Sequence, residues 1–406
     1  MESRKRNNLI PILIALPSLG LGCVWYMGST IITLLVERIT PSASELGLLI
    51  SMASVTGLFA PYLAGVISDR TNSKMGKRKP WVLLGAIVAS IFLILMGTAT
   101  NYIEIFIFAF IVFLMVNFYQ GAYYSWMPEA VEEDQIGVVN GWGKLFYAIG
   151  GIIIYGVGTI LFNMNPMYPL IIAMLFVLVP TLIASFTVKE DPSKFAKPTK
   201  ISFDFLKNQA AMKLFIATAF AMLAYGLISP YYIPYFEKIG GFSSVEVSIA
   251  LMICTLAGLL SVFFGILCDK YSKQKMVLLA FIIEIIGFAI GIFVMSNIGM
   301  LWGFAIVLGC GVSIFQVSFY AMIPAIAPKG KLGEYMGINN IFLSVPQIIG
   351  NNIGGYLMGA GFLGVIFPMA IICLVVACLI IGIGKMKFPK DAAGPLTFRK
   401  DKVKAA

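Results

Sequence analysis

Histidine is absent from these 406 residues. That removes the side chain most used near neutral pH as proton shuttle, metal ligand and catalytic base. Charge is scarce too: Asp, Glu, Lys and Arg make up 12% of the chain, against about 25% in soluble domains. Cysteine is sparse. All six (23, 254, 268, 310, 373 and 378) lie in or beside apolar runs, with no paired spacing in outer loops, so structural disulfides are not expected. With no metal-ligand cluster and no embedded Asp–Ser arrangement, an enzyme is the least supported class, and neither cofactor nor metal is expected.

What the chain has is apolar surface. Hydrophobic residues make up 59% of it, more than a soluble fold of this length needs, so an all-α membrane protein is expected. Twelve stretches are long enough to cross a bilayer: 9–36, 44–68, 80–98, 102–126, 137–162, 166–187, 211–236, 244–268, 275–296, 299–323, 333–359 and 362–385. The basic start, Arg4 to Arg6, precedes no small-residue cleavage site and is read as the flank of the first span.

A net charge of +10 is compatible with nucleic-acid binding, but the cations sit in short loops between apolar runs. With the N-terminus inside, 26 of the 29 Lys and Arg are cytoplasmic, Arg38 and Lys238 are outside, and Lys144 lies within a span. Both termini are then cytoplasmic, in the cell membrane. The expected organisation is an N-terminal six-helix bundle (1–187), a cytoplasmic linker (188–210), a C-terminal six-helix bundle (211–385) and a cytoplasmic tail (386–406).

The two bundles repeat one another. Gly65 to Arg70 (Gly-Val-Ile-Ser-Asp-Arg) answers Gly265 to Lys270 (Gly-Ile-Leu-Cys-Asp-Lys) at a spacing of 200. Glu37 and Ser29 answer Glu237 and Ser229 at the same spacing. A longer loop after Asp69 slips the register to 196, where Gln120, Tyr124 and Pro128 answer Gln316, Tyr320 and Pro324. Such self-similarity marks a duplicated unit. Each unit holds an even number of spans, so the repeats share one orientation in the membrane.

The loop after span 2 reads Asp69-Arg70-Thr-Asn-Ser-Lys74-Met-Gly76-Lys77-Arg78-Lys79-Pro80. Asp69 ends a helix, at the negative pole, where a carboxylate is disfavoured unless it serves a neighbour. The N-termini of spans 5 and 11 are candidate neighbours. Arg70 and Lys77 to Lys79 are expected to meet the acids after span 4: Glu129, Glu132, Glu133 and Asp134. These pairs, with Asp269 and Lys270 in the second copy, would hold the cytoplasmic helix ends together in one conformation and part in the other.

This loop resembles the signature of the major facilitator superfamily. Its form is similar to the glycoside–pentoside–hexuronide:cation symporters and the sucrose-type transporters. Asn140-Gly-Trp142 with Phe146 to Gly150, and Val345-Pro346-Gln347, agree with that likeness. It implies twelve transmembrane helices in two parallel six-helix repeats, with alternating access to a midplane site. Symporters of the group carry carboxylates in the core of spans 1, 2 or 4. Here Phe113 to Asn117 has none, so coupling to H⁺ or Na⁺ and uncoupled diffusion both stay open.

Polar residues recur on matched helix faces. Ser18, Trp25 and Ser29 in span 1 answer Thr218, Tyr225 and Ser229 in span 7. Asn117, Gln120 and Tyr124 in span 4 answer Ser313, Gln316 and Tyr320 in span 10. Asn140, Lys144 and Tyr147 in span 5 answer Asn340, Ser344 and Gln347 in span 11, with Asn351 one turn on. Such residues are costly against lipid and should face protein, either as helix-to-helix links or as a substrate path. Amides and aromatic planes suit a sugar, whose hydroxyls pair with amides while its C–H face lies on a ring.

Glu284, near the middle of span 9, is a candidate for cation coupling or for a structural hydrogen bond. The leading expectation is a transporter of a sugar or glycoside, working as a monomer, with H⁺ or Na⁺ as a possible second partner. The alternatives are an exporter of amphiphiles on the same fold, for which 21 methionines and 31 phenylalanines offer an adaptable lining, and a nutrient sensor that binds without transporting.

Overall fold

The computed structural model describes residues 9–132, 135–190, 204–260, 263–264, 267, 271–294, 297–328, 332–383 and 386. Among these, twelve helices stand where the apolar runs place them. In the first half they are α1 (Ile10–Ile39), α2 (Ala43–Asp69), α3 (Lys79–Met96), α4 (Tyr102–Glu129), α5 (Ile136–Ile153, continued through a π turn to Met164) and α6 (Met167–Thr187). In the second they are α7 (Gln209–Lys238), α8 (Ser244–Leu260), α9 (Lys273–Ile292), α10 (Ile298–Ile326), α11 (Leu332–Gly359) and α12 (Leu363–Gly382). Ten of these are long and apolar enough to cross a bilayer. The other two are the shorter apolar α8 and the 28-residue α11, whose asparagines dilute its apolar character. Residues 261–262, 265–266 and 268 of span 8 with Asp269 and Lys270, the acids Glu133 and Asp134, residues 191–203 of the linker and the tail from 387 lie outside the described residues.

The helix ends have local causes. Pro17 lacks an amide hydrogen and its ring opposes the carbonyl four residues back, which interrupts α1 between Ala15 and Ser18. A second interruption falls at Thr30, with φ −135° and ψ −85°. In α7 the corresponding turn, Ser229–Tyr231, tightens to a 3-10 helix around Pro230. The first and seventh helices therefore break in the same turn of each repeat, around Ser29 and Ser229.

Packing within each unit follows one plan. In the first, α1 lies on α5 and α6, and α3 lies on α4 and α6. In the second, α7 lies on α11 and α12, and α9 lies on α10 and α12. Glycine allows the tightest of these contacts. A Cβ added at Gly150 would sit 2.3 Å from the Leu19 carbonyl oxygen, and one at Gly350 would sit 2.4 Å from that of Leu223. Small residues let backbones meet where lipid supplies no hydrophobic drive between helices.

The compact units do not follow chain order throughout. One comprises 1–41 and 55–197; the other comprises 42–54 and 198–406. The first turns of α2 thus belong with the second unit, where Ser51 and Ser54 reach α11: Ser54 Oγ donates to Gln347 Oε1 at 3.2 Å, and Asn352 Nδ2 donates to Ser51 Oγ at 2.9 Å.

Candidate functional site

The α2–α3 loop builds a charged cluster around Arg78, which is 4% exposed. Its Nη2 lies 2.7 Å from Asp69 Oδ1 and 2.9 Å from Glu129 Oε1, while Nε donates to Glu129 Oε2 at 3.2 Å. Nη1 donates to Ser68 Oγ. Lys77 Nζ completes the group, 3.3 Å from Asp69 Oδ1. One guanidinium therefore joins the end of α2, the start of α3 and the end of α4. Burial opposes its charge, but Glu129 and Asp69 outweigh that and hold its pKa above the ordinary guanidinium value.

Two sequence expectations bear on this arrangement. Asp69, expected to serve a neighbour, pairs with Lys77 and Arg78 of its own loop. The Arg70 side chain is exposed, and Glu133 and Asp134, two of the acids expected to meet it, lie outside the described residues. The cluster also uses a residue that the sequence did not single out. Glu190, just after α6, accepts backbone hydrogen bonds from Lys77 (2.7 Å), Arg78 (2.9 Å) and Lys79 (2.7 Å), capping the first turn of α3. Gly76 makes this possible. Its φ is +108°, and an added Cβ would lie 2.5 Å from the Glu190 carboxyl carbon.

In the first unit the membrane-embedded polar residues divide into two groups. Asn117 is 4% exposed and donates to Thr56 Oγ1 and to the Phe113 carbonyl, both at 3.0 Å, so it ties α4 to α2 and to itself. Trp25 and Gln120 are brought together: the indole Nε1 donates to Gln120 Oε1 at 2.9 Å. The Trp25 ring stacks on Phe113 with planes 22° apart. Both residues keep partial exposure. Because the amide oxygen is held by the indole, the NH₂ group, with two donors, is turned elsewhere. Tyr124, Asn140 and Lys144 are exposed, and Tyr147 packs its ring on Tyr26. Tyr119 and Tyr123, which the matched stripes did not include, are buried links: Tyr123 bonds Ser18 at 2.9 Å and Tyr119 bonds Thr181 at 3.0 Å.

In the second unit Asn351 is 1% exposed, and with its amide correctly turned it donates to Gly226 O at 3.1 Å. It joins α11 to α7. Gln316 and Asn340 are exposed, Gln347 is partly so, and the Tyr320 side chain lies outside the described residues. Tyr225 of α7 donates its hydroxyl to Glu284 of α9 at 2.6 Å.

The family model described as MFS/sugar transport protein matches residues 13–341. The chain belongs to this family. It is 31% identical over 146 residues to a sucrose transport protein of Arabidopsis thaliana, a stretch covering 30% of this chain and 29% of that one. It is 27% identical over 143 residues to the general alpha-glucoside permease of Schizosaccharomyces pombe, covering 29% and 26%. The chain thus matches less than a third of the length of either relative. A solved nucleoside transporter superposes with a TM-score of 0.76 at 14% identity, over 92% of this chain and 98% of that one. At that identity the likeness speaks for the fold alone. The MFS/sugar transport chain is therefore a multi-pass membrane protein with the major facilitator fold, in a family of transporters rather than enzymes.

Proposed function

We propose that this chain carries a sugar or glycoside across the cell membrane by alternating access, as a monomer with both termini in the cytoplasm. The pairing of Trp25 with Gln120 is the observation that carries the substrate class. An aromatic face beside an oriented amide offers what a pyranose presents, a C–H face ringed by hydroxyls. The family membership and the sucrose and alpha-glucoside relatives support the same class. Tyr124, Asn140, Lys144, Tyr147, Gln316, Asn340 and Gln347 extend the proposed path, since each keeps exposed surface on a helix of the matched stripes. Asn117 and Asn351 support it from behind as buried links.

The orientation follows the distribution of Lys and Arg. It places the Asp69–Arg78–Glu129 cluster on the cytoplasmic face, where it makes three helix ends move as one block. Purified protein in proteoliposomes, tested with labelled sucrose, maltose and other glucosides, checks the reading. Uptake of at least one, abolished or strongly weakened by Gln120→Ala, is expected. Uptake of amphiphiles instead of any sugar would refute it.

A further inference from the structure

Gln120 of α4 holds its amide one way round. Its Oε1 accepts the Trp25 indole N–H at 2.9 Å. An indole nitrogen only donates, so the amide oxygen must face it and the NH₂ group must face away. The indole is itself held in place: its ring stacks on Phe113, which is 1% exposed, with centroids 6.4 Å apart. Asn117, one turn earlier on the same stripe, uses its Nδ2 on Thr56 and on the Phe113 carbonyl. Among the described residues Gln120 Nε2 has no such partner, and Gln120 keeps partial exposure within its span. All of these groups belong to the first unit.

Hydrocarbon offers an amide no acceptor, so these two N–H donors are satisfied by water or by a ligand. A sugar hydroxyl can donate or accept, and a free amide answers either role by turning over. Gln120 cannot turn without leaving the indole N–H unpaired, which disfavours the turned form by about threefold to tenfold. The amide therefore asks one thing of a ligand: an oxygen that accepts. In the second copy this lock is missing. Tyr225, at the position of Trp25, donates to Glu284, and among the described residues no hydrogen bond holds the exposed amide of Gln316.

We propose that Gln120, with Trp25 as its positioning residue, is a specificity determinant that reads one sugar oxygen as a hydrogen-bond acceptor only. This rests on the sugar-transport reading given above. The position so read tolerates any substituent that accepts, whether hydroxyl, ether oxygen or fluorine, and disfavours one that does not. The first unit thus sorts sugars by where an acceptor lies, and is indifferent to whether that oxygen carries a hydrogen.

Competition at equilibrium against a labelled sugar found in the uptake panel, on purified protein, tests it. The competitors are analogues of that sugar altered one hydroxyl at a time. At one position the deoxy analogue should bind about threefold to tenfold more weakly than the parent, while the deoxyfluoro or O-methyl analogue, which can only accept, stays near the parent. Gln120→Met, similar in size and without the amide, should bind the deoxy and acceptor-only analogues alike. In Trp25→Phe the amide is free to turn, and the parent, which can use either end of it, should gain over the acceptor-only analogues. A merely structural role for the pair would leave the ranking of analogues the same in both variants. A wild type in which the acceptor-only analogues bind as weakly as the deoxy one at every position would overturn the proposal, and this arm needs no variant to fold. An unchanged ranking in either folded variant would also overturn it. Both outcomes leave sugar transport standing. Should the wild type bind no sugar, the transport reading fails and the acceptor rule falls with it.

Discussion

Replacing Arg78 with alanine tests whether the loop cluster holds three helix ends together. Arg78 is 4% exposed and the Glu129 side chain is 11% exposed. Two charge-assisted bonds join them, at 3.2 and 2.9 Å, and a third contact reaches Asp69 at 2.7 Å. Bonds of this kind contribute about 1.5–3 kcal/mol each. Withdrawing the two ions from water costs several kcal/mol, so the intact pair comes out only modestly favourable. In Arg78→Ala the cost remains without the compensation, because Glu129 stays buried and loses the partner of both its oxygens. Such a break destabilises by about 3–5 kcal/mol. Asp69, with 33% of its side chain exposed, regains water and adds little to that figure.

Arg78→Lys keeps the charge but gives up the two-pronged geometry, for an expected loss of about 1–2 kcal/mol. The double variant Arg78→Ala with Glu129→Ala should be less damaged than the sum of its parts, with a coupling of about 2–3 kcal/mol. Unfolding of the four corners of this cycle in mixed detergent–SDS micelles, followed by circular dichroism, gives the coupling directly. A value within about 0.5 kcal/mol of zero would mean that the ion pair is incidental, and the rigid-block argument would fall with it.

Three further outcomes follow from the same contacts. Glu190→Ala removes the acceptor of three backbone amides and should cost about 1–3 kcal/mol, seen as faster hydrogen exchange at Lys77 to Lys79; Glu190→Gln should cost less, because one oxygen remains. Gly150→Val and Gly350→Val should each lower folded yield sharply, since a Cβ would lie 2.3 and 2.4 Å from a facing carbonyl oxygen, whereas valine at Gly141, which has open space, should be tolerated. Trp25→Phe keeps the aromatic plane but releases the Gln120 amide, so sugar affinity should weaken about threefold to tenfold, and Trp25→Ala should weaken it further; unchanged affinity in both would remove these residues from the path.

The helices were legible because lipid demands long apolar runs, and the observed ends fall close to the expected ones: 44–68 became Ala43–Asp69, and 102–126 became Tyr102–Glu129. The partnership of the Lys77–Arg78 stretch with Glu129 was legible for a similar reason, since buried cations near clustered acids have few other solutions. Glu190 was not, because its partners are three backbone N–H groups, and amides leave no signature in side-chain pattern. Only Gly76, with Pro80 soon after, hinted that the loop turns into α3 through a left-handed residue. The polar stripes show the limit of spacing as a guide. Residues three and four apart share a helix face, but a face toward a neighbouring helix and a face toward a path are equally free of lipid. Thus Asn117 and Asn351 lie on the matched faces as buried ties, while Gln120 on the same stripe as Asn117 keeps partial exposure.

The duplication also separates scaffold from chemistry. Elements of the packing plan are alike in both halves: the break at Ser29 and Ser229, the close approach at Gly150 and Gly350, and the order of helix contacts. Where the copies differ, packing does not require the difference. Trp25 and Tyr225 share a position, yet the first spends its donor on Gln120 of α4 and the second on Glu284 of α9. A scaffold role would have been met by an apolar residue at 284, as Val88 meets it in the first copy. Burying an ionisable group there instead carries a cost that the single Tyr225 hydrogen bond only partly offsets. The asymmetry therefore lies in the pairing of one shared position: an indole–amide pair in one half, and a phenol–carboxyl pair in the other.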